Sequence, residues 1–365
     1  MNEGNGFEER VESMLRSARR FKRFPTSVLD MERFLTLLYE QQPVDLWDLM
    51  RKSDAYVRVL LSLLFVLEKD GAISIASDGK LKLTRQGLKL AKYFMIKRIE
   101  NPLIEPKQKM GLRLTPKFKM ILETVRGLYQ DVIPQNRFDQ APLLPESAVY
   151  KVAYAISKGD ATNKSVVCVG DDDLTSIIFA LSGVPKRVLA VDIDKYLLEM
   201  IEEYSEEKGL DIETLQLDLR EPVPGEYRSS FDLFMTEPPD TVAGISLFVS
   251  RGVELLKNTE GMTGYCGISL TACPPLGLLQ IQRNFTSMGL LISDRIPKYS
   301  DYPPHRTELK HVEVPDCYDA FYPPKKVWYS ADLLRLKTTR ETTPLFNDVF
   351  KGKLANYSED SQRFQ

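Results

Sequence analysis

Residues 166–175 read VVCVGDDDLT. A β-branched run ending in glycine, here Gly170, begins many nucleotide-binding sheets, where further glycines let backbone N–H groups close on an anion. Here Asp171, Asp172 and Asp173 follow instead. Two like unit charges about 4 Å apart cost on the order of 4 kcal/mol at an effective dielectric near 20. Neither a pyrophosphate nor a carboxylate suits such a loop, and the ligand end lying there is expected to be cationic. More acids recur downstream: Asp192 and Asp194 after RVLAV, Asp218 after ETLQL, and Glu237 and Asp240 in FDLFMTEPPD. Grouped carboxylates can hold amines and accept their protons. Each also has a structural reading, since aspartate is a common helix N-cap.

Asp192 stands 22 positions after Gly170, near the interval at which an acid takes the ribose hydroxyls in dinucleotide-type sites. That spacing does not separate NAD from an adenosyl sulfonium. Asp218 reads either as an acceptor for an adenine amino group or as a loop cap. The TEPPD segment resembles the NPPY element with which amino-methyltransferases grip a planar nitrogen, with Glu237 in place of the amide and Asp240 in place of the aromatic. A base-stacking site would want the aromatic ring, whereas an aliphatic polyamine, positively charged along its length, would want acids.

Metal chemistry has little else to draw on. Clustered oxygens suit Mg²⁺ or Ca²⁺, but the only histidines are His305 and His311, and Cys168, Cys266, Cys273 and Cys317 lack C-x-x-C spacing. No metal site is expected, the thiols read as buried and free, and any general base is a carboxylate.

These acids need a frame. From Lys164 onward, apolar runs of four to six residues (SVVCV, RVLAV, ETLQL, FDLFM, GMTGYCGI, LLISDR) alternate with helical patterns. This implies an α/β, Rossmann-like parallel sheet with ligands at the carboxyl ends of its strands. The acids then line one sheet edge. Upstream, Val28–Arg98 reads as three helices, a hairpin around Ser77-Asp78-Gly79-Lys80 and a further helix, the order of a winged helix. Its third helix, AYVRVLLSLLFVLEK, is too apolar to read a DNA groove, so no specific nucleic-acid partner is expected despite the basic run RSARRFKR. The expected domains are a winged helix with a basic extension over 1–100, a linker and connecting helix over 101–140, a catalytic sheet domain over 141–337, and a mobile tail over 338–365.

At 365 residues the chain suits about two domains. A charged fraction of 27% with net charge −2 argues against wholesale nucleic-acid binding. No apolar stretch approaches the roughly 20 residues of a membrane span, and the first 25 residues lack a signal-peptide core. A cytoplasmic protein without membrane partners is expected.

VGDDDLTS together with TEPPD, in a chain of this size with such an amino-terminal module, resembles the branched-chain polyamine synthases of thermophiles, the N4-bis(aminopropyl)spermidine synthase family. The resemblance runs from about Val28 to Arg335. It implies a class I methyltransferase-like fold and an aminopropyltransferase with no permanently bound cofactor, using decarboxylated S-adenosylmethionine as co-substrate and spermidine or related polyamines as acceptor. Aligning GDDD with the G-G-G-D motif of spermidine synthases puts Asp173 at the donor's aminopropyl ammonium. The acidic-Pro-Pro-acidic element puts Glu237 and Asp240 at the acceptor amine. Gly170, Asp171, Asp172, Asp173, Asp192 and Asp218 are the expected donor-binding residues, with Asp172 also facing the acceptor. Asp173, Glu237 and Asp240 are the catalytic candidates, and relatives imply a homodimer formed through the amino-terminal module.

Two other readings stand beside this one: an S-adenosylmethionine-dependent methyltransferase acting on nucleic acid, and a non-enzymatic winged-helix regulator with a ligand-sensing domain. Ile268–Pro275 reads as a pocket wall or a turn. Tyr299, Tyr302, Tyr318 and Tyr322 read as a polyamine cover through cation–π contacts or as loop packing.

Overall fold

The computed structural model describes residues 3–22, 24–53, 55–96, 113–304, 315, 317, 324–352 and 354. Residues 97–100 of the expected winged-helix domain, 101–112 of the expected linker, Arg23 of the basic run, His305, His311, Tyr318, Tyr322 and tail residues 355–365 lie outside the described residues. The chain divides into two units, Met1–Pro106 with Pro304–Tyr329, and Lys107–Pro303 with Ser330–Gln365.

In the first unit the basic extension is a helix, α1 (Glu3–Lys22). Val11, Met14, Leu15 and Ala18, at helical spacing, are buried. Next come α2 (Val28–Gln41), opened by a Ser27–Asp30 capping box, and α3 (Leu46–Lys52), capped by Asp45. α4 (Val57–Lys69) buries nine of its 13 residues, which leaves little polar face for reading a groove. A hairpin of β1 (Ile73–Ile75) and β2 (Leu81–Leu83) leads into α5 (Arg85–Tyr93), capped by Thr84. The returning segment packs Trp328 against Trp47, with ring centroids 5.1 Å apart.

The second unit opens with α6 (Pro116–Leu128) and α7 (Pro145–Ser157). The alternating part follows as β3 (Ser165–Val169), α8 (Thr175–Ser182), β4 (Arg187–Asp192), α9 (Lys195–Lys208), β5 (Ile212–Gln216), β6 (Leu233–Thr236), α10 (Val242–Leu255), β7 (Thr263–Ile268) and α11 (Pro275–Ser287). The chain closes with β8 (Leu290–Asp301) and β9 (Ser330–Thr338). The sheet order is β5-β4-β3-β6-β7-β9-β8. The first five strands are parallel, and β9 runs antiparallel to both β7 and β8. Strand order reverses at β3, which lies between β4 and β6, and crevices for ligands open at such a switch point. β3 is buried along its whole length, as a strand covered by helices on both faces must be. β9 was not anticipated, because it too is buried on both faces over most of its length and so lacks the alternation that marks a half-exposed strand.

The expected mobile tail starts as anchored chain. Arg251 on α10, fully buried, donates to the carbonyls of Phe346 and Asp348 at 2.8 and 2.9 Å, and Phe346 N–H donates to Ser250 Oγ. A buried guanidinium must have its donors satisfied, and these carbonyls satisfy two of them. Among the described residues no helix is long and apolar enough to cross a membrane.

Candidate active site

Gly170 ends β3 with φ +71°, and a β-carbon there would lie 2.9 Å from the Phe248 ring of α10. Only glycine fits both the left-handed backbone and the close approach. The three aspartates that follow point in three directions. Asp171, 0% exposed, turns inward and caps α8: its Oδ1 accepts from Thr175 N–H and Thr175 Oγ1 at 2.8 and 2.6 Å, and Ser176 N–H adds a longer bond. It therefore serves the α8 N-terminus, where the N-cap residue Leu174 makes no side-chain cap bond. Burial still outweighs the Ser176 and Thr175 hydrogen bonds and pushes its pKa up to about 6.

Asp172 is half-buried and accepts the Ala141 N–H at 3.0 Å. Burial together with the charges of Asp173 and Asp192 drives its carboxyl well above the ordinary range. Asp173 is buried and accepts Leu143 N–H at 2.7 Å. Gln140 Nε2 reaches Asp194 at 3.2 Å. The proline-punctuated stretch before α7, read only as a loop, thus hydrogen-bonds to three acids of the rim.

Asp192, at the end of β4, receives the N–H groups of Asp171 and Asp194 at 2.9 and 2.8 Å. Burial raises its pKa despite those bonds. Asp194 caps α9 by accepting Tyr196 N–H. Asp218, following β5, is bound to the Arg220 guanidinium, which with the Arg220 N–H lowers its pKa against the effect of partial burial. That ion pair favours the loop-cap reading of Asp218.

Glu237 follows β6, the strand next to β3, and its side chain is 5% exposed. Tyr302, just beyond β8, donates its hydroxyl to Glu237 Oε1 at 2.7 Å. Asp240 lies at the start of α10, next to its N-cap Thr241. Burial and the charges of Glu237 and Asp240 both raise the Cys266 thiol on β7, so the two acids share one neighbourhood. Tyr299 packs rather than covers, with its hydroxyl on the Tyr150 carbonyl at 2.8 Å. Ile268–Pro275 turns from β7 into α11, with Cys273 N–H on the Ser269 carbonyl.

The residue that sequence reasoning missed is Lys151 on α7. It is 1% exposed, and its ammonium donates to Asp173 Oδ2 at 2.8 Å and to Glu237 Oε2 at 3.1 Å. Burial pulls its pKa down, but the two carboxylates more than offset this and hold it above the ordinary lysine value. Burial raises Glu237 more than Lys151 and the Tyr302 hydroxyl lower it. A signal was present: Lys151 sits at helical spacing with Ala148 and Ala155, both buried, where a lysine on an apolar stripe demands a buried partner.

The profile of the Branched-chain polyamine synthase A C-terminal domain matches residues 121–362. The chain is 29% identical to N(4)-bis(aminopropyl)spermidine synthase of Methanocaldococcus jannaschii over 96% of its own length and 99% of that protein. It is 30% identical to the enzyme of that name from Thermococcus kodakarensis, over 87% and 90%. Among solved structures, it is similar to the branched-chain polyamine synthase from Thermus thermophilus in complex with N4-aminopropylspermidine and 5'-methylthioadenosine. That match has TM-score 0.75 and 27% identity, covering 96% of this chain and 98% of the other. With its sheet order, its acids at the ends of β3 and β6 and a profile match over more than half its length, the chain belongs to the branched-chain polyamine synthase family.

Proposed function

We propose that this protein moves the aminopropyl group of decarboxylated S-adenosylmethionine to the internal nitrogen of spermidine. The products are N4-aminopropylspermidine, then N4-bis(aminopropyl)spermidine, with one methylthioadenosine per transfer. The observation that carries this reading is the convergence of Asp173 and Glu237, from the ends of adjacent parallel strands, on one buried point. Acids at a switch-point crevice suit a ligand with a cationic end on either side of the reacting carbon.

In this reading Asp173 anchors the donor's ammonium, with Asp172 beside it, while Glu237 and Asp240 hold the acceptor. A carboxylate offers about four lone-pair positions, so Asp173 and Glu237 can each accept another N–H besides those they already take. The neutral acceptor nitrogen attacks the methylene carbon bonded to the sulfonium. The carbon–sulfur bond breaks, its electron pair returns to sulfur, and the neutral thioether leaves. In the first transfer the new ammonium gives up its proton to become a tertiary amine. Glu237, whose pKa burial raises, is suited to accept it. In the second transfer the nitrogen becomes quaternary and has no proton to lose. Asp192 takes the ribose hydroxyls, and Asp218 keeps an adenine contact only through lone pairs that Arg220 leaves open.

The test is mass spectrometry of products from spermidine and decarboxylated S-adenosylmethionine. One and then two added aminopropyl groups at the internal nitrogen support the reading. Linear products alone would leave aminopropyl transfer standing and remove the branched assignment. Methylation of a nucleic acid by S-adenosylmethionine would replace it.

A further inference from the structure

Carboxylates that bind a polyamine also oppose its reaction. A negative charge beside an amine favours the protonated form, and a protonated nitrogen has no lone pair with which to attack. Glu237, with the Asp173 charge close by, would on its own hold the acceptor nitrogen as an inert ammonium. The structure places a compensating charge at the same point, since the Lys151 ammonium touches both carboxylates from within α7 at 2.8 and 3.1 Å and is closed off from solvent.

Building on the function proposed above, we propose that Lys151 is a positioning residue whose fixed charge offsets Asp173 and Glu237, so that the acceptor nitrogen binds uncharged and ready to attack. Among the described residues, the titratable groups around it come from several elements. Asp172 and Asp173 belong to the loop after β3, Cys168 lies on β3 itself, Glu237 follows β6 and Cys266 lies on β7. Tyr302, after β8, acts on Glu237 from the far side. Lys151 is the cation in direct contact with the two acids, and the buried thiols of Cys168 and Cys266, driven upward by burial, stay neutral near pH 7. Asp173 and Glu237 also fix its position, because a lysine this deep is costly without both partners.

Lys151 has its ammonium engaged on both sides, so it acts through the carboxylates and not as the proton acceptor. A fixed cation lowers the pH above which a nearby amine is neutral. Turnover limited by that amine rises with pH, and removing the cation moves the rise to higher pH. Lys151→Gln is therefore expected to shift the rising limb of kcat upward by about one unit or more. Near neutral pH it should lower turnover at least tenfold, and activity should recover in alkaline buffer. Its KM for spermidine should fall or stay level, because the acids are freed to bind ammonium. Lys151→Arg should keep the parent's limb.

A second measurement needs only the wild type. Calorimetric titration of spermidine into the protein with methylthioadenosine, in buffers of different ionisation enthalpy, should show net proton release on binding near neutral pH. No release, a Lys151→Gln limb that stays in place, or a shift shared by Lys151→Arg would each overturn the proposal. If the wild type formed no aminopropyl product, the functional reading itself would fail, which is a separate outcome.

Discussion

Gly267 on β7 makes room for the Glu237 carboxylate: a β-carbon at position 267 would lie 2.0 Å from Glu237 Oε1 and 2.3 Å from its carboxyl carbon. Gly267 and Glu237 each stand one residue past Thr236↔Cys266, the last pair of the parallel β6–β7 ladder, and the side chain missing at 267 is the volume in which the acid meets Tyr302 and Lys151.

Gly267→Ala is therefore expected to push Glu237 off both partners. A misplacement of about 1 Å at a reacting group can lower the rate roughly 100-fold, and turnover should fall on that order while the far-ultraviolet circular dichroism spectrum is unchanged. Parent-like kinetics would mean that Glu237 does not act from the position seen.

The two anchors should fail differently when neutralised. On the proposed assignment of Asp173 to the donor ammonium, Asp173→Asn should weaken the decarboxylated donor and lower turnover with every acceptor. Glu237→Gln should raise the polyamine KM or, if it removes the base, lower kcat, and it should move the rising limb of kcat to lower pH because a carboxylate beside the amine is lost. Full steady-state kinetics over pH separates these. Identical defects from both changes would argue against assigning one acid to each substrate.

Donor selectivity follows from the same charges. S-adenosylmethionine carries a carboxylate near its ammonium, so the decarboxylated form should bind at least tenfold more tightly, about 1.4 kcal/mol. Asp192→Asn should weaken both, since the ribose is common to them. Calorimetric titration of the two donors measures this, and equal affinities would remove the electrostatic basis for Asp173.

Asp171 gives a stability signature independent of catalysis. Its folded-state pKa of about 6 lies above the ordinary 3.8 because the carboxyl is buried. The folded chain thus holds a proton there that the unfolded chain releases first. This contribution is full below about 3.8 and is lost as pH rises through about 6, by on the order of 3 kcal/mol at most. Urea unfolding of the wild type relative to Asp171→Asn should show a difference that moves against the wild type between pH 4 and pH 7. Parallel stability profiles would show that the carboxyl is not raised.

Much of the site was legible in the residues alone. Strand period and turn residues are local properties, so the acids at the ends of β3, β4, β5 and β6 could be placed on one sheet edge before any coordinates. Their number implied a cationic ligand. The amino-terminal hairpin was equally local, set by Ser77-Asp78-Gly79-Lys80. What the sequence could not assign was which acids face a ligand. Asp171, Asp172 and Asp173 are adjacent and chemically identical, yet Asp171 is consumed by the α8 N-terminus while Asp173 reaches Lys151. That division depends on backbone direction at Gly170 and on the approach of α7, 22 residues away in sequence. Lys151 stood out only as a charge on an apolar stripe, and its two partners come from different strands. The strand β9 escaped because burial on both faces erases periodicity. Composition and local pattern therefore determined that an acidic sheet edge exists. Long-range packing alone decided that one buried lysine joins its two central acids, because a charge so far from water is tolerated only where the fold brings its counter-charges to it.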